Sequence, residues 1–303
     1  MHIHVASAVN REYLAPMAVL IDSLKSHLTP ATKLSVHLLH AGLSQSDLAP
    51  IASLVELNPI LISDLHSAGI PSDARFPPEA AFPLLLADVL PANLERVLFL
   101  DADMLVLDDV SIIWETNLEN HVLAAVQDSA IPLCSSARAV KNWQGCGMSC
   151  RTEYFNGGLL LVNLPRWRSG NVTARVFEYL RRNRGHVDFY HQEGLNAVLW
   201  NERVLLDQRW NLTSSLTGVR RGGSGVLSVS RPGIVHFSGS MKPWRFQIAG
   251  SFHDAYQPWL ARAAKHYHIP APSIRERLLS FYDRYVRDTV YPVEQFLWRH
   301  RWQ

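Results

Sequence analysis

Residues 96–106 read Arg-Val-Leu-Phe-Leu-Asp-Ala-Asp-Met-Leu-Val, an apolar run followed at once by two aspartates. Val97–Leu100 is apolar at every position, which is typical of a strand buried on both faces of a sheet. Residues two apart in extended backbone point the same way, so Asp101 and Asp103 present adjacent carboxylates at the carboxyl end of this strand. Ligands of open α/β sheets bind at that end, and the stretch therefore predicts a ligand site.

The two carboxylates repel each other and need a positive counter-charge. A divalent cation with oxygen ligands supplies it, which indicates Mg²⁺ or Mn²⁺. The alternative is a pair of solvated aspartates in a turn, which is the usual meaning of an isolated Asp-x-Asp. The buried strand in front of Asp101 favours the metal interpretation.

Short apolar runs alternate with helical patterns on both sides of this strand. Strands are predicted at residues 3–8, 34–39, 60–63, 97–100, 122–127, 157–162 and 233–237. Helices are predicted at residues 13–27, 44–57, 79–90, 165–182 and 192–200, the third one interrupted by Pro83. This alternation predicts an α/β fold in which a mostly parallel sheet lies between two layers of helices.

Two segments depart from the alternation. Residues 129–153 contain several Gly and Ser without periodicity and are predicted to form a long functional loop, a lid over the site. The chain after Pro270 and Pro272 mixes arginines with Phe, Tyr and Trp. A boundary near residue 268 therefore separates a main domain, 1–268, from a C-terminal helical tail, 269–303. The tail suits either a membrane surface or packing on the main domain.

Composition narrows the class of protein. The chain has 303 residues, of which 48% are hydrophobic and 18% charged, as in a globular protein with a substantial core. A net charge of +2 gives no basic excess for nucleic acid. Three cysteines cannot all pair, which fits a reducing compartment. We see neither a signal peptide nor a run of about 20 apolar residues, and we expect a cytoplasmic chain that binds no nucleic acid.

A second polar motif follows the predicted strand at residues 233–237. His236 offers an imidazole that suits Mn²⁺, and Lys242 offers a point charge for phosphate. Gly239 lets backbone approach a ligand closely. A lone histidine after a strand is more often structural, so this motif supports a ligand site only together with the aspartates.

Two weaker motifs carry amides and a carboxylate. Asn156 lies at the mouth of a predicted strand, where its amide suits sugar hydroxyls, although a turn residue before two glycines is the simpler interpretation. Gln192 and Glu193 begin a predicted helix, where they are either capping residues or catalytic groups.

Taken in this order, the motifs resemble glycosyltransferase family 8, above all the bacterial lipopolysaccharide α-galactosyl- and α-glucosyltransferases. The resemblance rests on residues 96–107, on Tyr154-Phe-Asn-Gly-Gly-Leu-Leu-Leu-Val-Asn-Leu164, and on His236 with Gly239, Lys242, Pro243 and Trp244. It covers residues 3–250. It implies a single Rossmann-like nucleotide-sugar-binding domain of glycosyltransferase type A, with a mixed, mostly parallel sheet, that uses a UDP-sugar and Mn²⁺.

The resemblance also implies a role for each matching residue. The metal ligands would be Asp101, Asp103 and His236. The nucleotide would be bound by Ala8, Asn10, Tyr13, Asp101, Ala102, Gly239 and Lys242, with Tyr13 stacked on the base and the last two residues at the diphosphate. The donor sugar would lie beside Asn156, Asp128 and Gln192, with Gln192 next to the anomeric carbon.

The sequence departs from the family's pattern at three places. Asn10-Arg-Glu-Tyr13 replaces Asp-Asp-Asn-Tyr. Pro83 occupies the position of an arginine that touches the donor, for which Arg75 is a candidate replacement. His191-Gln-Glu193 replaces Asp-Gln-Asp, so one acidic charge near the sugar is lost. These changes bear on the identity of the donor sugar and on activity itself.

The implied reaction moves galactose or glucose from its UDP-sugar to a hydroxyl of a glycan or glycolipid such as lipopolysaccharide, with retention. Gln192 is not a carboxylate, so we expect same-face attack, and Glu193 as a nucleophile is the alternative. Two alternative functions are compatible with the same motifs: a UDP-sugar-binding protein with weak or lost transfer, and an unrelated metal-dependent phosphotransferase. Lipid-linked acceptors in the family favour peripheral contact of the tail with the inner face of the membrane.

Overall fold

A computed structural model describes residues 1–63, 76–213, 231–239, 242–246 and 251–281. The strands are β1 (His2–Ala8), β2 (Lys33–His40), β3 (Glu56–Leu61), β4 (Arg96–Leu100), β5 (Met104–Val106), β6 (Leu123–Gln127), β7 (Phe155–Asn163), β8 (Arg203–Leu206), β9 (Leu212–Thr213) and β10 (Ile234–His236). The α-helices are α1 (Leu14–His27), α2 (Gln45–Ala52), α3 (Leu86–Val89), α4 (Ser111–Trp114), α5 (Leu164–Ser169), α6 (Val172–Arg182), α7 (Tyr190–Leu199), α8 (Ser251–Ala263) and α9 (Ile274–Phe281). Short 3₁₀ helices cover Arg11–Tyr13, Pro78–Leu85 and Gln208–Asn211.

A seven-stranded sheet forms the centre of the fold, with strand order β3-β2-β1-β4-β7-β6-β8. Strands β3, β2, β1 and β4 pair in parallel, and β6 pairs in parallel with β8. Only β7 in this sheet runs against its neighbours, β4 and β6. The predicted mixed, mostly parallel sheet of a nucleotide-sugar-binding α/β domain is confirmed.

Strand β4 is buried on both faces, as its apolar run predicts. Leu98 and Leu100 pack into the core layer that contains α1, whereas Val97 and Phe99 pack into the layer that contains α6 and α7. All four side chains are buried, and burying each one stabilises the fold by about 1.5–3 kcal/mol. Burial on both faces holds β4 in the middle of the sheet and so fixes the position of Asp101, which directly follows the strand.

A small three-stranded sheet, in the order β5-β10-β9, follows directly from β4. Strand β10 pairs antiparallel with β5, and this register sets His236 opposite Met104. The backbone N–H of Phe237 donates to the carbonyl oxygen of Asp103 at 2.9 Å. Pairing of β10 with β5 thus brings a histidine that lies 133 positions further along the chain (236 − 103) next to the second aspartate.

Three predicted helices differ from the observed ones. Ser44 caps α2 as predicted, but α2 ends at Ala52 because residues 56–61 pair with β2. The predicted helix 79–90 is mostly 3₁₀, since Pro83 has no N–H for an i→i−4 bond. The predicted helix 165–182 is two helices, separated at Asn171, whose φ of 47° lies in the left-handed region.

The irregular segment 129–153 is packed. Ile131, Cys134 and Met148 form a third apolar cluster together with Tyr154 and with Ala197 of α7, so the segment is held against the sheet by its own small core. Whether it acts as a lid stays a prediction.

The boundary near residue 268 also stays a prediction. Helix α8 ends at Ala263 and α9 begins at Ile274, and residues 282–303 of the predicted tail lie outside the described residues. No helix in the described part of the chain is both long and apolar enough to cross a bilayer.

Candidate active site

Three side chains from β4, β5 and β10 converge on one point. Asp101 and Asp103 follow β4, and His236 ends β10. One ligand atom from each of the three lies within 4.8 Å of the other two. The Nε2 atom of His236 is 3.2 Å from Asp103 Oδ1 and 3.7 Å from Asp101 Oδ2. The structure therefore brings together the three predicted metal ligands.

The outer hydrogen bond of His236 gives its ring the form that a metal ligand needs. His236 Nδ1 is 3.0 Å from Asn211 Oδ1. Asn211 Nδ2 donates to Asn156 Oδ1 at 2.9 Å, which fixes Asn211 Oδ1 as the acceptor. The proton of a neutral His236 thus belongs on Nδ1, and the Nε2 lone pair faces the two carboxylates. A lone pair beside two anions is repulsive unless a cation lies between them, so the donor set fits a divalent ion.

The charges of this cluster shift one another's pKa values. Burial lowers the pKa of His236, but Asp103 and Asp101 outweigh it and the net pKa is raised. Burial raises the pKa of Asp103, yet His236 and Lys242 hold it well below its usual range. Burial, and then the charge of Asp103, raise the pKa of Asp101. The negative charge of Asp101 is therefore compensated less fully than that of Asp103.

Lys242 connects the metal cluster with the predicted nucleotide residues. Its Nζ donates to Asp103 Oδ2 and, at 2.8 Å, to the carbonyl oxygen of Phe237. The same Nζ lies 5.9 Å from the ring centre of Tyr13 and 5.8 Å from that of Trp244. Tyr13 and Trp244 meet edge to face, with 5.5 Å between ring centres. The structure thus places the predicted base-stacking residue beside the predicted diphosphate residue.

The other predicted nucleotide residues have identifiable backbone roles. Ala8 ends β1 and the buried Ala102 separates the two aspartates. Asn10 accepts a hydrogen bond from the N–H of Glu12 at 3.1 Å and so caps the 3₁₀ helix that carries Tyr13. A pocket of about 860 Å³ is lined by Tyr13, Gly239 and Lys242 among others.

The predicted sugar-binding residues form one hydrogen-bonded group. Asp128 Oδ2 accepts from Asn156 Nδ2 at 2.9 Å and from Gln192 Nε2 at 3.1 Å. Its other oxygen accepts from the N–H groups of Ala130 and Ile131, both at 2.9 Å. All three side chains are buried. Asp128 holds both amides in place, which makes it a positioning residue.

Glu193 is not part of this group. Its oxygens accept from the hydroxyl of Tyr179 at 2.9 Å and from the N–H of Asp188 at 3.0 Å. Burial raises the pKa of the fully buried Glu193. These two partners belong to α6 and to the segment before α7, and a catalytic role for Glu193 stays a prediction.

The two positions where the sequence differs from the family's pattern, Pro83 and His191, lie on elements that contact each other. The Pro83 ring is buried in the 3₁₀ helix, and Arg75 lies outside the described residues. His191 Nδ1 donates to the carbonyl oxygen of Ala80 in the same 3₁₀ helix, at 2.9 Å. A Cβ added at Gly157 would lie 2.7 Å from His191 Nε2, so the glycine provides room for this ring.

Asn211 is the site residue that the sequence did not reveal. It is 2% exposed and ends the 3₁₀ helix between β8 and β9. In the sequence it stands only in an Asn-x-Thr triplet, a pattern with no bearing on metal binding. Its role follows from the fold, which sets it between His236 and Asn156.

Known proteins resemble this chain in sequence. The family model described as "Glycosyl transferase family 8" matches residues 4–247. General stress protein A of Bacillus subtilis (strain 168) is 27% identical over 174 residues, which are 54% of this chain and 58% of that protein. Probable galacturonosyltransferase-like 4 of Arabidopsis thaliana is 27% identical over 262 residues, 80% of this chain and 73% of that protein.

Solved structures share the fold at lower identity. The galactosyltransferase LgtC, in complex with donor and acceptor sugar analogs, superposes with a TM-score of 0.73 at 22% identity. That match covers 86% of this chain and 96% of LgtC. The glycosyltransferase GlyE of Streptococcus pneumoniae TIGR4 gives a TM-score of 0.63 at 19% identity, over 90% of this chain and 66% of GlyE. These likenesses show the fold.

Proposed function

This chain belongs to glycosyltransferase family 8 and is a glycosyltransferase, and on that premise we propose that it transfers galactose or glucose from a UDP-sugar, with retention, to a glycan or glycolipid such as lipopolysaccharide. The observation that carries the proposal is the convergence of Asp101, Asp103 and His236 next to Lys242 and Tyr13. This convergence supports a site for a nucleoside diphosphate, with the base beside Tyr13 and a metal ion beside the two aspartates.

Mn²⁺ is the cofactor that we propose, with Mg²⁺ as the alternative, held by Asp101, Asp103 and His236. When bound, such an ion supplies positive charge to the diphosphate of the leaving UDP. Lys242 adds a preorganised charge from the protein itself, because its ammonium is already fixed by Asp103 and Phe237. Removing one such contact from a developing anion typically slows a reaction by about 10²–10³-fold.

The side chains beside the proposed sugar site bear on which retaining route is used. Gln192 is an amide, and the oxygens of Asp128 and Glu193 are already occupied by protein donors. This supports same-face attack over a double displacement through Glu193. The bond from the anomeric carbon to the β-phosphate oxygen breaks, the acceptor oxygen bonds to that carbon, and the departing phosphate oxygen takes the acceptor proton. Asn156 and Gln192 orient the sugar.

The proposal is tested by UDP release from UDP-galactose, UDP-glucose, UDP-N-acetylglucosamine and UDP-galacturonate, with Mn²⁺ and then with EDTA. The last donor is included because relatives are named galacturonosyltransferase-like. We expect release from one neutral hexose donor, abolished by EDTA and by Asp103→Asn. Asp109→Asn is the matched control, since the Asp109 carboxylate accepts from the N–H of Ser111 and is not one of the three proposed ligands. Release that persists in EDTA would contradict the metal assignment.

A second candidate is a UDP-sugar-binding protein without transfer. The buried Pro83, where the family has an arginine, is the observation that favours it. Calorimetric binding of UDP without turnover of any donor, in the presence of glycan and glycolipid acceptors, would support this candidate.

Peripheral membrane contact is a separate proposal. Helix α9 exposes Ile274, Leu278 and Phe281, which are 80%, 65% and 58% accessible. Their spacing of four and three positions places them on one face of the helix. Such an exposed apolar face suits a lipid surface. Leu278→Ser with Phe281→Ser should reduce co-sedimentation with anionic vesicles, and unchanged co-sedimentation would contradict the proposal.

A further inference from the structure

The C-terminal segment forms a wall of the nucleotide pocket. Pro270, Ser273, Arg275 and Glu276 line the same pocket of about 860 Å³ as Tyr13, Gly239 and Lys242. The sequence predicts a tail that begins after residue 268 and that either contacts a membrane or packs on the main domain. The first residues of this segment lie beside the groups that we propose for the base and the diphosphate.

Several contacts fasten the segment in this position. Glu276 Oε1 pairs with Arg245 Nε at 2.8 Å. Glu276 also accepts from the N–H of Ser273 at 2.7 Å, and its own N–H donates to Ser273 Oγ at 3.2 Å, which fixes the start of α9. Upstream, the Tyr267 hydroxyl donates to the carbonyl oxygen of Asp47 at 2.9 Å. Arg275 lies between Ser273 and Glu276, so these contacts with the main domain set its position in the pocket.

The charges along the pocket single out Arg275. Lys242 is paired with Asp103, and Arg245 is paired with Glu276. Among the described residues no hydrogen bond or ion pair involves Arg275, which is exposed toward the pocket that it lines. The other lining acid, Glu12, adjoins Tyr13, so the pocket is not uniformly basic. An anion in this pocket would therefore be attracted by Arg275 itself and not by a general positive charge of the lining.

We propose that Arg275 is a nucleotide-binding residue whose guanidinium pairs with phosphate oxygens of the UDP moiety. This inference rests on the proposed function, which supplies the nucleotide diphosphate. An arginine guanidinium matches phosphate oxygens with two parallel N–H donors. Lys242 serves Asp103 as well as the diphosphate, and a second cation from the C-terminal segment balances the remaining phosphate charge. The segment that carries α9 thereby contributes to donor binding.

The test is calorimetric titration of the full-length protein with UDP and with uridine, both in Mn²⁺. Arg275→Gln should weaken UDP binding about tenfold and leave uridine binding unchanged, since only UDP carries the diphosphate. Arg277→Gln is the matched control, because Arg277 lies two positions away and donates to the carbonyl oxygen of Pro272. It should bind both ligands as the unsubstituted protein does. Arg275→Lys should recover part of the UDP affinity.

Two results would overturn the assignment of Arg275: unchanged UDP affinity in Arg275→Gln, or equal losses for UDP and uridine, which would indicate a packing role. Thermal unfolding of both variants checks the fold. Because Arg275 and Arg277 are exposed, neither substitution should shift the melting temperature measurably. If the unsubstituted protein binds no UDP, the proposed function itself fails, and the inference fails with it.

Discussion

Replacing Asn211 by leucine should weaken metal binding without touching a metal ligand. Asn211 accepts from His236 Nδ1 and donates to Asn156 Oδ1, and it is 2% exposed. Leucine has a similar volume but can neither accept nor donate a hydrogen bond. The buried N–H of His236 and the buried oxygen of Asn156 would each lose a partner, at about 1–3 kcal/mol apiece. After partial relaxation we expect a loss of about 2–4 kcal/mol in the free energy of unfolding.

The effect on the metal follows from the ring of His236. Without an acceptor for Nδ1–H, the imidazole is no longer held in the tautomer and orientation that aim Nε2 at Asp101 and Asp103. Loss of such an outer hydrogen bond typically lowers metal affinity by about 10–100-fold. Asn211→Asp keeps the acceptor for His236 and should retain metal affinity to within a few-fold, although it loses the donor to Asn156.

The assay is the electron paramagnetic resonance signal of free Mn²⁺, titrated against protein at constant UDP, together with urea unfolding. Asn163→Ala is the control, because Asn163 lies at the other end of β7 from Asn156 and caps α5 through the N–H of Arg166. It should lose about 1 kcal/mol of stability and no Mn²⁺ affinity. Unchanged Mn²⁺ affinity in Asn211→Leu, or equal losses in Asn211→Leu and Asn211→Asp, would refute this reasoning.

Three further predictions concern the sugar site, the sheet and the C-terminal segment. Gly157→Ala should lower donor turnover at least tenfold, because its Cβ would lie 2.7 Å from His191 Nε2, and His191→Ala in the same chain should recover part of the loss; no recovery would contradict the steric argument. Burial, and then His4, lower the pKa of His37 to about 4. Its folded pKa is below the unfolded value near 6.5, so the stability that it contributes is present above about pH 6.5 and is lost as the pH falls toward 4. Urea unfolding should show a loss of about 1–2 kcal/mol over this window, reduced by solvent screening, and His37→Gln should flatten it. Deleting residues 282–303 leaves α9 in place and should not change UDP affinity, whereas deleting 269–303 should lower both UDP affinity and vesicle binding; equal UDP affinity of the two truncations would contradict the pocket wall.

The central strand and the two aspartates of the candidate metal site could be predicted from local sequence because their signals are local. Four consecutive apolar residues identify β4, and the alternation of side chains in extended backbone is enough to pair Asp101 with Asp103. His236 was harder, since its pairing with the aspartates depends on the β5–β10 register. It could be assigned only through the resemblance to a family.

The remaining differences come from long-range packing. Residues 56–61 belong to β3 because β2 offers them backbone partners, and helical propensity in residues 53–57 does not outweigh that pairing. Neither Asn211 nor the pocket wall carries a sequence pattern. Asn211 acquires its role when β9 and β10 meet, and Arg275 acquires its position through the contact of Glu276 with Arg245. Contacts between distant segments leave no periodic signal in either segment.

The hydrogen bonds of the site also connect the proposed sugar subsite with the proposed metal subsite. A continuous chain of side-chain contacts runs from Gln192 to Asp128, Asn156, Asn211 and His236. Each member is buried, and each amide in the chain contributes both its donor and its acceptor. In a buried network of this kind the loss of one member leaves its neighbours unsatisfied, so the effects of substitutions are not additive. Three side chains separate Gln192 from His236, and we expect donor binding and metal binding to respond together to substitutions anywhere along this series of contacts.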